Sequence, residues 1–232
     1  MYLPDNRCMD DVVEEALRAV RAMSDVDTVI LFGSRAEGRA TEHSDVDLFA
    51  FRSDGDYCLL ETTALGRDVR CYVYNSAVLS TACSLPCFYV AFPGIPIYDP
   101  NKLGAEFLAK VERAIQSIPP STPQIKEHIR HFYRSALDTA FLGTPKSDFM
   151  RLRLLTRGPD ILFALNDFLY CGKKRALAVL RRDEPKVYEI FAKALSPAAT
   201  KEDVTLWAQT VLYRKINLDL WNSDFTALKN RR

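Results

Sequence analysis

The sequence lacks any run of about 18 apolar residues, the length that crosses a bilayer, which predicts a protein without a membrane-spanning helix. Its N-terminus, MYLPDNRCMDD, lacks the basic stretch and following apolar stretch that mark a secretory signal peptide. Cysteine is sparse, with six scattered among 232 residues, and the one close pair, Cys83 and Cys87, has no second pair of metal ligands nearby. We therefore expect reduced thiols in a cytoplasmic protein, with no membrane partner and no disulfide framework.

Apolar residues make up 48% of the chain and charged residues 26%, values typical of a soluble globular protein with one large or two small domains. The near-neutral net charge of +1 conceals an asymmetry. Residues 1–100 carry 8 Lys and Arg against 16 Asp and Glu, whereas residues 101–232 carry 23 against 14. An acidic half followed by a basic half indicates two units, which either dock through complementary surfaces or present a basic surface to a ligand.

The first half alternates between the helical and the extended periodicity. Apolar residues at helical spacing predict a helix over 10–23, with acids early and arginines late. Short β-branched and apolar runs predict strands, the last of them an edge strand closed by Asp-Pro. The predicted strands cover 28–32, 45–51, 69–74 and 94–100.

The second half has few strand signals, and its periodicity is helical throughout. We expect Pro159 to kink or split one of these helices. The fold class is therefore predicted as α+β, with a mixed domain over 1–100 followed by an all-α helical bundle over 101–232. The predicted helices cover 102–117, 122–142, 147–170, 173–182, 184–195 and 200–218.

Most candidate catalytic and binding residues lie in one segment, from the end of the first predicted strand to the start of the second. Gly33 and Ser34 follow a buried strand, and backbone N–H groups at such a turn can approach a phosphate closely. The Ser34 hydroxyl adds a donor and Arg35 adds a positive charge. Asp45 and Asp47 stand at positions i and i+2 of a strand, so both carboxylates point to one face. Two close carboxylates favour Mg²⁺ that already carries phosphate oxygens, which makes this a metal–triphosphate site.

The run Gly-Ser, then a glycine, then Asp-x-Asp resembles the signature of the DNA polymerase β-type nucleotidyltransferase superfamily over residues 29–51. It is most similar to small bacterial members with a C-terminal helical domain, the minimal and antibiotic nucleotidyltransferases. The resemblance implies an N-terminal nucleotidyltransferase fold, a short mixed sheet flanked by helices. It also implies transfer of a nucleoside monophosphate to a hydroxyl, with release of pyrophosphate and with two Mg²⁺ ions held by the aspartates. We assign nucleotide binding to Gly33, Ser34, Arg35 and Ser44, and catalysis and metal binding to Asp45 and Asp47.

The resemblance further implies a third carboxylate, on a following strand, that ligates one metal or deprotonates the acceptor. On the strand 69–74, Asp68, Arg70 and Tyr72 share the face opposite the core. We assign the third catalytic and metal-binding position to Asp68, with Glu61 as the alternative. The family places this acid between two apolar residues, where this chain has Arg70, and an arginine there would remove a metal ligand.

Three functions fit these residues. The first is transfer of AMP from ATP to a hydroxyl of a small molecule, as the antibiotic nucleotidyltransferases do. The second is transfer to a protein or an RNA; the basic half fits RNA, but its basic residues are dispersed and no RNA-binding module is evident. The third is a degenerate, antitoxin-like protein that binds nucleotides without turnover. We favour the first, with the helical half binding the acceptor, and the resemblance also admits a homodimer.

Overall fold

The computed structural model describes residues 10–81, 86–170 and 172–218, which divide into two compact units after Ile118. The first unit holds a sheet and its helices, and the second holds helices. In chain order the first unit contains α1 (Asp11–Met23), β1 (Thr28–Phe32), α2 (Gly33–Ala36), β2 (Val46–Arg52), β3 (Cys58–Ala64), β4 (Arg67–Asn75), α3 (Val78–Thr81), a 3₁₀ helix (Pro86–Ala91), β5 (Ile95–Tyr98) and α4 (Leu103–Gln116).

The five strands form one mixed sheet in the order β3-β4-β2-β1-β5. Strands β2 and β4 run parallel, and every other neighbouring pair is antiparallel. Strand β5 is an edge strand, as predicted, and it accommodates Pro96 because one of its sides has no strand partner. This arrangement puts β2, which carries the Asp-x-Asp motif, in the middle of the sheet.

Strand β3 was not predicted from the sequence. Its burial alternates between half-buried and exposed residues, so its apolar signal is weak. It is joined to β4 by Leu65 and Gly66, both with positive φ, the backbone of a two-residue hairpin turn. The sequence feature that could have indicated this hairpin is the Leu65-Gly66 pair between two extended runs of seven and nine residues.

The two faces of the sheet bury different kinds of residue. One face packs against α1 through a core of aliphatic residues from the helix and the central strands. The other carries aromatic rings, among them Phe51, which lies 5.2 Å from the ring of Phe107 in α4. Helix α4 therefore belongs to the first unit, and the structure divides the chain after Ile118 rather than at the predicted boundary near residue 100.

The second unit consists of α5 (Pro123–Thr139), α6 (Pro145–Leu165), α7 (Lys173–Asp183), α8 (Pro185–Leu195) and α9 (Lys201–Tyr213). Helix α6 continues through Pro159, so the predicted split does not occur. The carbonyl of Leu154, one turn before this proline, accepts hydrogen bonds from the Tyr133 hydroxyl at 2.6 Å and the Trp207 indole at 3.1 Å. With a mixed sheet followed by helices, the α+β class is confirmed.

Among the helices of the described residues, none combines the length and the apolar character needed to cross a membrane. Cys58, Cys71 and Cys87 are free thiols. The predicted reduced state of the cysteines at 8, 83 and 171 concerns positions outside the described residues.

Candidate functional site

The turn after β1 brings the backbone of Gly33 against the carboxylate of Asp47. Gly33 has a φ of +73°, in the left-handed region that favours glycine. A Cβ at this position would lie 2.9 Å from Oδ2 of Asp47, which is closer than real Cβ contacts. The backbone conformation therefore favours glycine here, and a Cβ would force the Asp47 carboxylate to shift. The Gly-Ser turn and the second aspartate of the motif form one site.

Asp45 and Asp47 lie on the same face of the sheet. Val46 between them is fully buried in the core that packs on α1, so its two neighbours point the other way. Asp47 pairs with Phe32 of β1, the residue immediately before Gly33. The side chain of Asp45 is 18% exposed, so a ligand can reach it.

The guanidinium of Arg35 is used by the protein itself. It donates to the carbonyls of Asp45 and Ser44 at 3.2 and 2.9 Å, and to the Asp10 carboxylate at 2.6 Å. The side chain is only 7% exposed. The structure thus gives Arg35 a role other than the predicted triphosphate contact: it fixes the backbone that enters β2.

Asp10 completes this arrangement from the start of α1. Its Oδ1 accepts a hydrogen bond from the Val13 N–H at 2.9 Å and caps the helix, while its Oδ2 binds Arg35. The positioning role of Arg35 was missed from the sequence. A capping residue just before α1 and an arginine just after a glycine turn give no local sign that they meet.

The two serines of the motif differ in their surroundings. The Ser44 hydroxyl accepts a hydrogen bond from the Thr41 N–H at 2.9 Å and closes a turn, so its predicted contact with nucleotide competes with a local bond. Ser34 is half-buried in the one-turn helix α2, and its carbonyl accepts the N–H of Arg39 at 2.8 Å. Of the two, Ser34 is the one next to the contact between Gly33 and Asp47.

Arg70 lies beside the carboxylates, where the sequence resemblance leads us to expect a third acid. In the parallel pair of β2 and β4, Arg70 is the partner of Asp47. Its Nη1 donates to Oδ2 of Asp45 at 3.3 Å. On its other side, in β3, its antiparallel partner is Glu61. The positively charged side chain of Arg70 therefore lies between two acidic residues on the neighbouring strands, Asp47 and Glu61.

The assignment of Asp68 as third metal ligand does not fit the structure. Asp68 is exposed, two residues before Arg70, and its partner is Thr63 of β3. In the described part of the chain, no three His, Cys, Asp or Glu side chains come close enough together to hold a metal ion. The physical reason is register: the strand pairing sets Arg70, and not Asp68, beside Asp47.

Asp45 and Asp47 form a donor set that fits a divalent cation, and the predicted pair of Mg²⁺ ions stays a prediction. Asp45 and Asp47 offer two hard oxygen ligands, which suit a Mg²⁺ ion that keeps phosphate and water oxygens in its remaining positions. The guanidinium of Arg70 lies beside this pair, with Nη1 at 3.3 Å from Oδ2 of Asp45. Glu61, the alternative acid, lies beyond Arg70 from Asp47.

A cluster of aromatic rings lies next to the carboxylates on the same face of the sheet. Phe32 and Phe49 stack at 4.4 Å between centroids, and Tyr72 lies 5.6 Å from Phe49. Phe32 and Phe49 are almost fully buried, so this side of the site excludes water and strengthens electrostatic interactions at its rim. Cys71 is on the opposite face, where burial raises the pKa of its thiol to about 12, so it supplies no thiolate.

Comparison with known proteins identifies the segment that carries this site. Residues 13–80 match the model of the nucleotidyltransferase domain family. Among the solved structures that resemble this chain is a nucleotidyltransferase-like protein from Exiguobacterium sibiricum 255-15, with 15% sequence identity and a TM-score of 0.40. That match covers 86% of this chain and 72% of the other. No curated protein matches significantly.

Proposed function

We propose that this protein moves AMP from ATP to a hydroxyl group of a small molecule, because residues 13–80 match the nucleotidyltransferase domain family. The observation that carries this proposal is the contact of Gly33 with Asp47, which joins the turn and the carboxylate pair in one site. The free thiols of the described cysteines suit a cytoplasmic enzyme, which draws on the ATP and Mg²⁺ of that compartment.

In the proposed reaction, the N–H groups after Gly33 and the Ser34 hydroxyl hold the triphosphate. Asp45 and Asp47 would hold the divalent cation that accompanies it, and this cation would supply positive charge against the phosphate oxygens. The acceptor oxygen forms a bond to the α-phosphorus, and its proton passes to a carboxylate of this pair. The bond from that phosphorus to the bridging oxygen breaks, and pyrophosphate leaves with the electron pair.

Arg35 supports this reaction from a distance. Its bonds to the carbonyls of Ser44 and Asp45 fix the chain just before the metal-binding pair. Because Arg35 also binds Asp10 at the cap of α1, the backbone of Ser44 and Asp45 is tied to that helix. Such preorganisation is what positions a nucleophile and a phosphate for transfer.

The experiment that tests the proposal follows a label from nucleotide to acceptor. The protein is incubated with α-³²P-labelled ATP, GTP, CTP or UTP, with Mg²⁺ and with a cell extract separated into small-molecule and macromolecular fractions. We expect pyrophosphate release with ATP and label on a compound of the small-molecule fraction. The Asp47→Asn variant is the negative control.

Two results would change the conclusion in different ways. Label on protein or RNA would replace the small-molecule acceptor by a macromolecule and keep the transferase. Nucleotide binding without pyrophosphate release in either fraction would reject transfer and support a protein that only binds nucleotides.

A further inference from the structure

We propose that Arg70 limits this site to a single divalent cation, its guanidinium standing where a third carboxylate would recruit a second ion. This inference rests on the proposed function, because it concerns the same nucleotide site, and it specifies how the charge of the triphosphate is balanced there.

The position of Arg70 follows from two independent observations. Strand register pairs it with Asp47 on the neighbouring parallel strand, and side chains of paired residues stand on the same face about 5 Å apart. Its Nη1 also reaches Oδ2 of Asp45 at 3.3 Å. Arg70 thus lies beside both acids of the Asp-x-Asp motif, within the reach of any ion that they bind.

The chemistry of the guanidinium decides how many ions can bind. Arginine stays protonated at every pH at which the protein is folded, so it cannot become a metal ligand. A second divalent cation at this place would meet a fixed positive charge and would lack the third carboxylate. Asp45, Asp47 and Arg70 together carry −1, whereas three carboxylates would carry −3.

The same group can bind the substrate directly. The Arg70 side chain is 43% exposed, so part of its guanidinium faces solvent at the site even while Nη1 binds Asp45. Guanidinium groups bind phosphate oxygens through two parallel hydrogen bonds. Arg70 therefore supplies to the triphosphate part of the charge that a second metal ion would supply, and it remains in the site when no nucleotide is bound.

Metal stoichiometry gives a direct test that does not depend on turnover. Mn²⁺ replaces Mg²⁺, and the full-length chain is titrated in the presence of saturating α,β-methylene ATP, with free Mn²⁺ measured by its paramagnetic resonance signal. We expect one Mn²⁺ per chain in the wild type and two in Arg70→Asp, which restores the third carboxylate. The matched control is Arg67→Asp on the same strand, with the same change in net charge, for which we expect one.

A second variant removes the positive charge of Arg70 without adding a carboxylate that could bind a metal ion. Arg70→Gln is expected to keep one Mn²⁺ per chain and to raise the Kd for α,β-methylene ATP about tenfold, through loss of a charge-assisted contact. Thermal unfolding of each variant verifies that it is folded.

The outcomes distinguish this inference from the function on which it rests. Two Mn²⁺ ions in the wild type, or one in a folded Arg70→Asp variant, would overturn the inference and leave nucleotide transfer intact. A wild-type chain that binds neither Mn²⁺ nor the analogue would overturn both.

Discussion

The Gly33 backbone lies directly against the carboxylate of Asp47, so that a Cβ on Gly33 would come within 2.9 Å of Oδ2. This contact joins the first residue of α2, which directly follows β1, to the second residue of β2. The Gly-Ser turn and the second aspartate of the motif therefore cannot be changed independently.

Gly33→Ala should impair both folding and transfer. The positive φ costs a residue with a Cβ about 1–2 kcal/mol, and the added methyl group pushes Asp47 out of place. We expect turnover to fall about a hundredfold, the scale of a displacement near 1 Å. Gly66→Ala is the matched control, since Gly66 has a φ of +76° with open space around it. If both variants lost stability equally and neither lost turnover, the contact would have no part in catalysis.

Asp47→Asn should abolish transfer while leaving the fold intact. The amide keeps the shape of the carboxylate but not its charge, so a divalent cation loses a ligand. We expect pyrophosphate release to fall by about two to three orders of magnitude. Asp54→Asn, an exposed loop acid of the same unit, serves as control and should match the wild type. Rates like those of the wild type in Asp47→Asn would defeat the assignment of the site.

Asp68→Asn tests whether Asp68 is the third carboxylate, as the sequence predicts, or a surface acid, as the strand register indicates. Because Arg70 and not Asp68 stands beside Asp47, removing the charge of Asp68 should change turnover by less than about fivefold, the effect of a distant surface charge. Steady-state pyrophosphate release at low and at physiological salt measures it. A loss as deep as that of Asp47→Asn would restore Asp68 as the third carboxylate.

Arg35→Ala should destabilise the first unit. The carbonyls of Ser44 and Asp45 lose their donor, and each unsatisfied group of this kind costs about 1–3 kcal/mol. We expect the free energy of unfolding to fall by about 2–3 kcal/mol, measured by urea denaturation. Arg39→Ala removes only an exposed pair with Glu37 and should cost less than about 1 kcal/mol. Equal losses in the two variants would contradict the positioning role.

Gly158→Ala tests the packing of the second unit. A Cβ there would lie 2.5 Å from Nε1 of Trp207, a fully buried ring held by its bond to the Leu154 carbonyl. Despite the better helix propensity of alanine, we expect a loss of about 1–3 kcal/mol from overpacking. Thr156→Ala, exposed on the same helix, should stay within about 0.5 kcal/mol of the wild type. A stabilised Gly158→Ala would show that the helices part easily.

Much of the fold could be read from local patterns. Helix α1 follows from its apolar residues at helical spacing, and the buried strand before Gly33 follows from its β-branched run. Strand β3 was not predicted because an edge strand with an exposed face has little apolar alternation in its sequence. The domain boundary was set too early because α4 reads as one more helix of the second half, although its Phe107 packs on the aromatic face of the sheet.

The sequence by itself determined that Asp45 and Asp47 share a face, because side-chain alternation along a strand is a property of the local backbone. It also determined the glycine turn, since positive φ is a demand on one residue. Only the tertiary structure decided that Arg70 stands beside these acids and that Arg35 holds the chain before them. Register between strands, and contacts between distant segments, depend on how the whole core packs, and no local pattern specifies them.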